Sequence, residues 1–235
     1  KPVAGRSILL SSAGVVLTAF LTGLFCHLVL KMALMEGMLL GAVLGSTDAA
    51  SVFSILRSRK LNLKYGTASM LELESGSNDP FAYMMTVILL SAMTGSVSGG
   101  SAVLLLIRQL AFGLLTGAAI AFLVTWLLKR YAFYGEGFDT IFVFAAAIIS
   151  YALASQIGGN GYLSVYLTGI ILGNQELKNQ KALVGFFDAF TGMMQMLLFF
   201  LLGLLAFPSQ MPSIVLPAIA IALFLTFVAR PAAVG

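Results

Sequence analysis

The strongest constraint on this chain is its series of long apolar segments joined by short polar loops. Eight can be drawn, at about 8–30, 34–57, 67–94, 101–128, 138–156, 162–174, 183–206 and 214–235. A helix needs about 20 apolar residues to cross a hydrocarbon core of about 30 Å. Inside that core an open chain can satisfy its backbone only as a helix. Segments 67–94 and 101–128 exceed the minimum length, which fits tilted helices. Segment 162–174 is short, and is either tilted or continued by the polar residues after it. Charged residues make up 9% of the chain and hydrophobic residues 60%, against roughly a quarter charged in a soluble domain. The fold class is an all-α polytopic membrane protein, with the lipid bilayer as its first partner.

Other classes drop out on composition. A single cysteine, Cys26, leaves no internal disulfide and no multi-cysteine metal site. The net charge of +4 does not signal nucleic acid. The longest basic run, Arg57-Ser58-Arg59-Lys60, borders a membrane segment. The chain opens in a loop, Lys1 to Arg6, without a signal peptide, and stops inside an apolar run. The expectation is that residues 1–235 are the middle of a larger transmembrane domain.

Charge placement orients the spans. One alternating set of loops carries Lys1, Arg6, Arg57, Arg59, Lys60, Lys64, Lys129, Arg130, Lys178 and Lys181, and the other only Lys31. By the positive-inside rule, loop 57–66 is cytoplasmic and turns 95–100 and 157–161 face outward. Glycines four apart mark helix contacts: Gly37, Gly41 and Gly45; Gly113 and Gly117; Gly169 and Gly173.

Against this apolar background, Leu73-Glu74-Ser75-Gly76-Ser77-Asn78-Asp79-Pro80 and Thr47-Asp48 stand out. Asp79 lies twelve residues beyond Thr67, or about 18 Å into the membrane at 1.5 Å per residue. Asp48 lies fourteen residues beyond Leu34, entering from the opposite side, about 21 Å deep by the same rise. Two carboxylates from antiparallel helices thus reach one central level, where charge is costly and is kept for use. Ser75 and Asp79 share a helix face, as do Glu74 and Asn78. Pro80 lacks an N–H, so the carbonyl of Gly76 loses its helical partner. The Gly45–Ser51 stretch is small, polar and weakly helical, and a break there would expose carbonyls that can coordinate a cation. These oxygen ligands suit a hard monovalent cation or a proton. Glu74 fits either a structural ion pair, with Arg230 as its best partner, or cation contact. Glu72 fits either snorkelling or a place in the site. Arg108 reads as snorkelling outward, Asp139 as a helix cap and His27 as a satisfied interfacial residue.

Thr47-Asp48 followed by Glu74-Ser75-Gly76-Ser77-Asn78-Asp79, with Ala229-Arg230 on a later helix, resembles the cation/proton antiporters of the sodium/proton exchanger superfamily. The match is to the branch with an Asn-Asp motif. Gly76-Ser77 and Pro80 depart from the commonest version and look most like bacterial potassium/proton antiporters. The resemblance implies an inverted-repeat fold with a discontinuous helix at 34–57. Eight helices of a larger bundle would be present, in a dimerising scaffold and a mobile core. It implies that Asp79 binds cation and proton in turn, and that Asp48, Ser75 and the Thr47 backbone complete a monovalent cation site. Asn78 would hold the broken helix, and Glu74 would pair with Arg230. It further implies electroneutral exchange of potassium or sodium for protons, in a homodimer of the bacterial inner membrane, with no cofactor beyond the transported ions.

Two other classes fit the sequence less well. A cation channel needs a continuous pore and a filter-like element, and neither is visible. An intramembrane protease needs Asp residues in a Gly-x-Gly-Asp-type context or a Ser/His pair, and this chain has neither. No enzymatic activity is expected.

Overall fold

The computed structural model describes residues 4–47, 67–95, 99–130, 137–177 and 179–234. They form α1 (Ala4–Leu30), α2 (Leu34–Gly45), α3 (Thr67–Met93), α4 (Gly99–Arg130), α5 (Phe138–Gln156), α6 (Gly161–Gly173), α7 (Gln180–Leu205) and α8 (Met211–Phe224). A π-helical segment, Leu225–Ala229, and a last short helix, α9 (Arg230–Val234), follow α8. No strand occurs among the described residues. Five stretches are long and apolar enough to cross a membrane: Ser7–Leu30, Gly100–Arg130, Phe138–Gln156, Gln180–Leu205 and Pro208–Ala233. Helix α3 is as long as α1, at 27 residues, but its carboxylates lower its hydropathy. The second half of the 34–57 segment, loop 57–66 and most of the turn after α3 lie outside the described residues.

The chain divides into two compact units, Lys1–Ile107 with Val215–Gly235, and Arg108–Ile214. In the first, α1 and α2 form a close hairpin. Lys31 turns the chain with a φ of 56°, and the ring of His27 hydrogen-bonds the Met32 carbonyl at 2.9 Å. A Cβ on Gly41 would stand 2.9 Å from the Ala19 backbone, and one on Gly37 would stand 2.9 Å from the Gly23 carbonyl oxygen. These positions let the two backbones touch, as their spacing predicts. Ala19, Ala42 and Leu89 tie α3 to the pair, with Met38, Leu39 and Met85 packed around them. Phe25 of α1 stacks on Phe224 at the end of α8, their centroids 4.2 Å apart.

In the second unit, Gly113 and Gly117 of α4 admit the backbone of α6: a Cβ on Gly117 would meet the Ser164 carbonyl oxygen at 2.5 Å. Ser150 of α5 joins Ser164 (2.7 Å) and Thr168 (3.0 Å) of α6, and Thr168 donates to the Gly117 carbonyl at 3.1 Å. This polar clasp is buried and satisfied. The unit's core is Val124, Val143, Ala146, Leu172 and Leu183.

Several expectations change. The 162–174 segment is not continued by the polar residues after it: α6 ends at Gly173 and Asn174 closes it. A Cβ on Gly169 or Gly173 would meet nothing within 4 Å, so that spacing marks no close contact among the described residues. Arg108 donates to the Ile157 carbonyl at 2.9 Å and lies over the Phe112 ring, at the end of α5. The cap of α5 is Gly137 in the left-handed region, while Asp139 accepts from Asn179 at 2.7 Å.

Candidate functional site

The site forms where α2 stops. Gly45 is its last helical residue and Ser46 turns extended, with φ −66° and ψ 132°. Small and hydroxyl-bearing residues hold a helix weakly, so a break costs little here. A broken end leaves the last carbonyls without helical donors. Arg230 supplies donors. Its Nη2 reaches the carbonyl oxygens of Leu44 (3.2 Å), Gly45 (2.9 Å) and Ser46 (3.4 Å). A cation at a helix C-terminus also opposes the negative end of the helix dipole.

Helix α3 holds the break from the other side. Ser75 Oγ donates to the Thr47 carbonyl at 2.6 Å. Asn78 Nδ2 donates to Thr47 Oγ1 and, at 3.4 Å, to Glu74 Oε1. Ser46 Oγ donates to the Asp79 carboxylate. Asn78 is 1% exposed, and its Oδ1 has no hydrogen-bond partner among the described residues. Pro80, also fully buried, continues α3 without an N–H to offer the Gly76 carbonyl.

The structure thus brings together Thr47, Ser75, Asn78 and Asp79 of the expected site residues, with Glu74 next to them. Asp48 lies outside the described residues. Asp79 is exposed among the described residues, so the burial expected at its depth is not supplied by them. The anticipated Glu74–Arg230 relation takes a less direct form. Both line one cavity, while the guanidinium donates to backbone carbonyls.

Two participants escape sequence reasoning. Ser46 is one of several small polar residues in its stretch, and nothing local singles it out as the donor to Asp79. The π-helical segment before Arg230 is the other: the Arg230 N–H bonds the Leu225 carbonyl five residues back. Pro231 was the available signal, since it withholds the N–H that a continuing helix needs. A π turn shifts the helix face, and such turns recur at functional positions.

Chemically, the break gathers a carboxylate, hydroxyls and a carbonyl at one place. This all-oxygen set can hold a hard cation, and its carboxylate can instead hold a proton.

Residues 1–235 match the profile of a family described as "Sodium/hydrogen exchanger, transmembrane". The chain is 37% identical over 228 residues to the K(+)/H(+) antiporter NhaP2 of Shewanella oneidensis, covering 96% of this chain and 39% of that protein. It is 38% identical over 227 residues to the K(+)/H(+) antiporter NhaP of Alkalimonas amylolytica, with the same coverage of 96% and 39%. It is 26% identical over 211 residues to the "Probable Na(+)/H(+) antiporter 2" of Methanocaldococcus jannaschii, covering 84% of this chain and 49% of that protein. The chain therefore spans about two-fifths of the length of the first two relatives.

Proposed function

Since the chain belongs to the sodium/hydrogen exchanger family, a family of transporters, we propose that the whole protein exchanges a monovalent cation for protons. It is a multi-pass protein of the inner membrane. The observation that carries the reading is the oxygen cluster at the break of α2, with Asp79 as its carboxylate. Cation and proton compete for that carboxylate, and competition couples the two fluxes. Ser75, Thr47 and Asp48 complete the cation shell. In the cation-free form the Ser46 hydroxyl donates to Asp79, and it must turn its lone pair outward when a cation arrives.

Asn78 is neutral, so the pair Asn78-Asp79 offers one titrating group and favours one proton per cation. Its amide ties Thr47 to Glu74 and keeps the break in register. The first unit, which holds the site, is proposed as the mobile core. The second, with its tight α4–α6 packing, is proposed as the scaffold through which two copies pair. Alternating access follows from movement of one against the other. Potassium is favoured as the cation, by likeness to relatives named potassium/proton antiporters.

The test is proton flux in everted vesicles carrying the full-length protein, on adding potassium, sodium or lithium. Potassium is expected to release protons from the wild type, and Asp79→Asn to abolish the response while the protein still folds. Retained exchange in Asp79→Asn would overturn the assignment. Cation flux without proton movement would point to a channel.

A further inference from the structure

Helix α3 carries the carboxylate of the exchange site, and its register brings one more oxygen to the same place. Ser75, Asp79 and Tyr83 are spaced four apart, so they stand on one face, a turn above one another. Asp79 and Tyr83 are exposed among the described residues, whereas Asn78, Ala82 and Met84 are buried. The carboxylate therefore opens on the face that Tyr83 shares. Long side chains on a helix lean toward its N-terminus and cover the turn before their own Cα. The turn before Tyr83 is that of Asp79, and the Cβ atoms of such a pair lie about 5–6 Å apart. A phenol is long enough to bring its hydroxyl back over the carboxylate.

Ser46 reaches Asp79 from the end of α2, and the Ser75 hydroxyl meets the Thr47 carbonyl one turn nearer the start of α3. A cation leaving water needs oxygens to replace its hydration shell. Between Asp79 and the end of α3 at Met93, three side chains carry one: Tyr83, Thr86 and Ser91. Ser91 is twelve residues on, about 18 Å along the helix. Thr86 is seven residues on, about 10 Å along, and its hydroxyl donates to the Ala82 carbonyl at 2.8 Å. Tyr83 alone of the three is within reach. We propose that the Tyr83 hydroxyl is a ligand of the cation held at Asp79, closing its shell on the side toward Met93 and setting the cation affinity. A phenol adds an oxygen without adding charge, so one carboxylate still answers one cation. The proposal rests on the reading of Asp79 as the cation's carboxylate.

The test follows the thermal midpoint of the full-length protein, at alkaline pH and constant ionic strength, as potassium chloride or sodium chloride replaces choline chloride. A bound ion stabilises the folded state by mass action, so the salt needed for a given shift reads the affinity. Each variant is compared with its own midpoint in choline. Tyr83→Phe keeps the ring and loses the oxygen, and is expected to need about fivefold more salt for the same shift, the effect of one lost bond. Thr86→Val, which removes a hydroxyl from the same face, is expected to respond as the wild type, and Asp79→Asn to show no shift. A wild-type response in Tyr83→Phe overturns the proposal, even if Tyr83→Leu responds poorly, because the ring would then act as a cover alone. An equal loss in Thr86→Val overturns it too. In the flux assay Tyr83→Phe is expected to raise the half-saturating cation concentration by the same factor at unchanged maximal rate. A fall in maximal rate alone overturns the ligand role. A shift that survives Asp79→Asn, or no shift with either salt in the wild type, overturns the reading of Asp79 and the proposal with it. The expected shifts without exchange in the wild type would overturn the antiport reading and leave Tyr83 a ligand.

Discussion

Replacing Arg230 with alanine removes the group that closes the broken end of α2. One terminal nitrogen, Nη2, lies 3.2, 2.9 and 3.4 Å from the carbonyl oxygens of Leu44, Gly45 and Ser46. That nitrogen carries two hydrogens, so the contacts amount to two bonds, one of them shared. A hydrogen bond with a charged partner contributes about 1.5–3 kcal/mol, and a cation at a helix C-terminus adds about 0.3–1 kcal/mol. Arg230 is only half-buried, which places the loss on Arg230→Ala at about 2–4 kcal/mol. Cys26 is the one cysteine of this chain and is 0% exposed, so a fluorogenic thiol reagent reports its uncovering on heating. The assay needs the full-length protein in a background where Cys26 is the only cysteine. At about 2–4 °C per kcal/mol, the midpoint should fall by roughly 4–16 °C. Arg230→Lys keeps the charge but not the planar fork, and should recover about half of the loss. An unchanged midpoint in Arg230→Ala refutes the reasoning. So does a Glu74→Gln variant that loses as much, if the double variant loses no more. In that case Arg230 would act through Glu74 and not through the carbonyls.

Two smaller predictions follow from the same geometry. Ser46→Ala removes the hydroxyl that donates to the Asp79 carboxylate in the cation-free form and serves the cation as a ligand when it arrives; with a net loss of about 1 kcal/mol from the bound form, the half-saturating cation concentration should rise about fivefold. An unchanged cation titration in the flux assay would remove Ser46 from the site. Gly117→Ala puts a Cβ 2.5 Å from the Ser164 carbonyl oxygen, whereas Gly169→Ala meets nothing within 4 Å. The first should cost about 1–3 kcal/mol of stability and lower the thermal midpoint read from Trp126, which lies in the same unit, in a background where it is the only tryptophan, and the second leave that midpoint in place. Equal midpoints would show that α4 and α6 do not approach closely.

The helices were legible because the bilayer imposes a length and an apolar composition on them. The 138–156 segment and α5 share both limits. The break after Gly45 was legible because Gly45-Ser46-Thr47 is a poor helix and sits beside an intramembrane acid. Partner choice was less legible. Glycines at spacing four mark a face, but not what that face meets; Gly113 and Gly117 touch α6, while Gly169 and Gly173, with the same spacing, touch nothing near. Arg230 makes the point more sharply. Opposite side-chain charges are visible in sequence, so Glu74 was its expected partner. A helix C-terminus carries about half a negative charge on carbonyls, and those belong to every residue and leave no letter in the sequence. Once α2 ends at Gly45, three of these carbonyls are in reach of Nη2. Glu74 is then left to face the cavity and Asn78 as well as the guanidinium. A carboxylate whose counter-charge is already engaged needs a further donor on its open side. Asn78, one turn further along α3, supplies such a donor to Glu74 Oε1 at 3.4 Å while holding Thr47 at the break, so the two residues between them tie Arg230's end of the cavity to the site of Asp79.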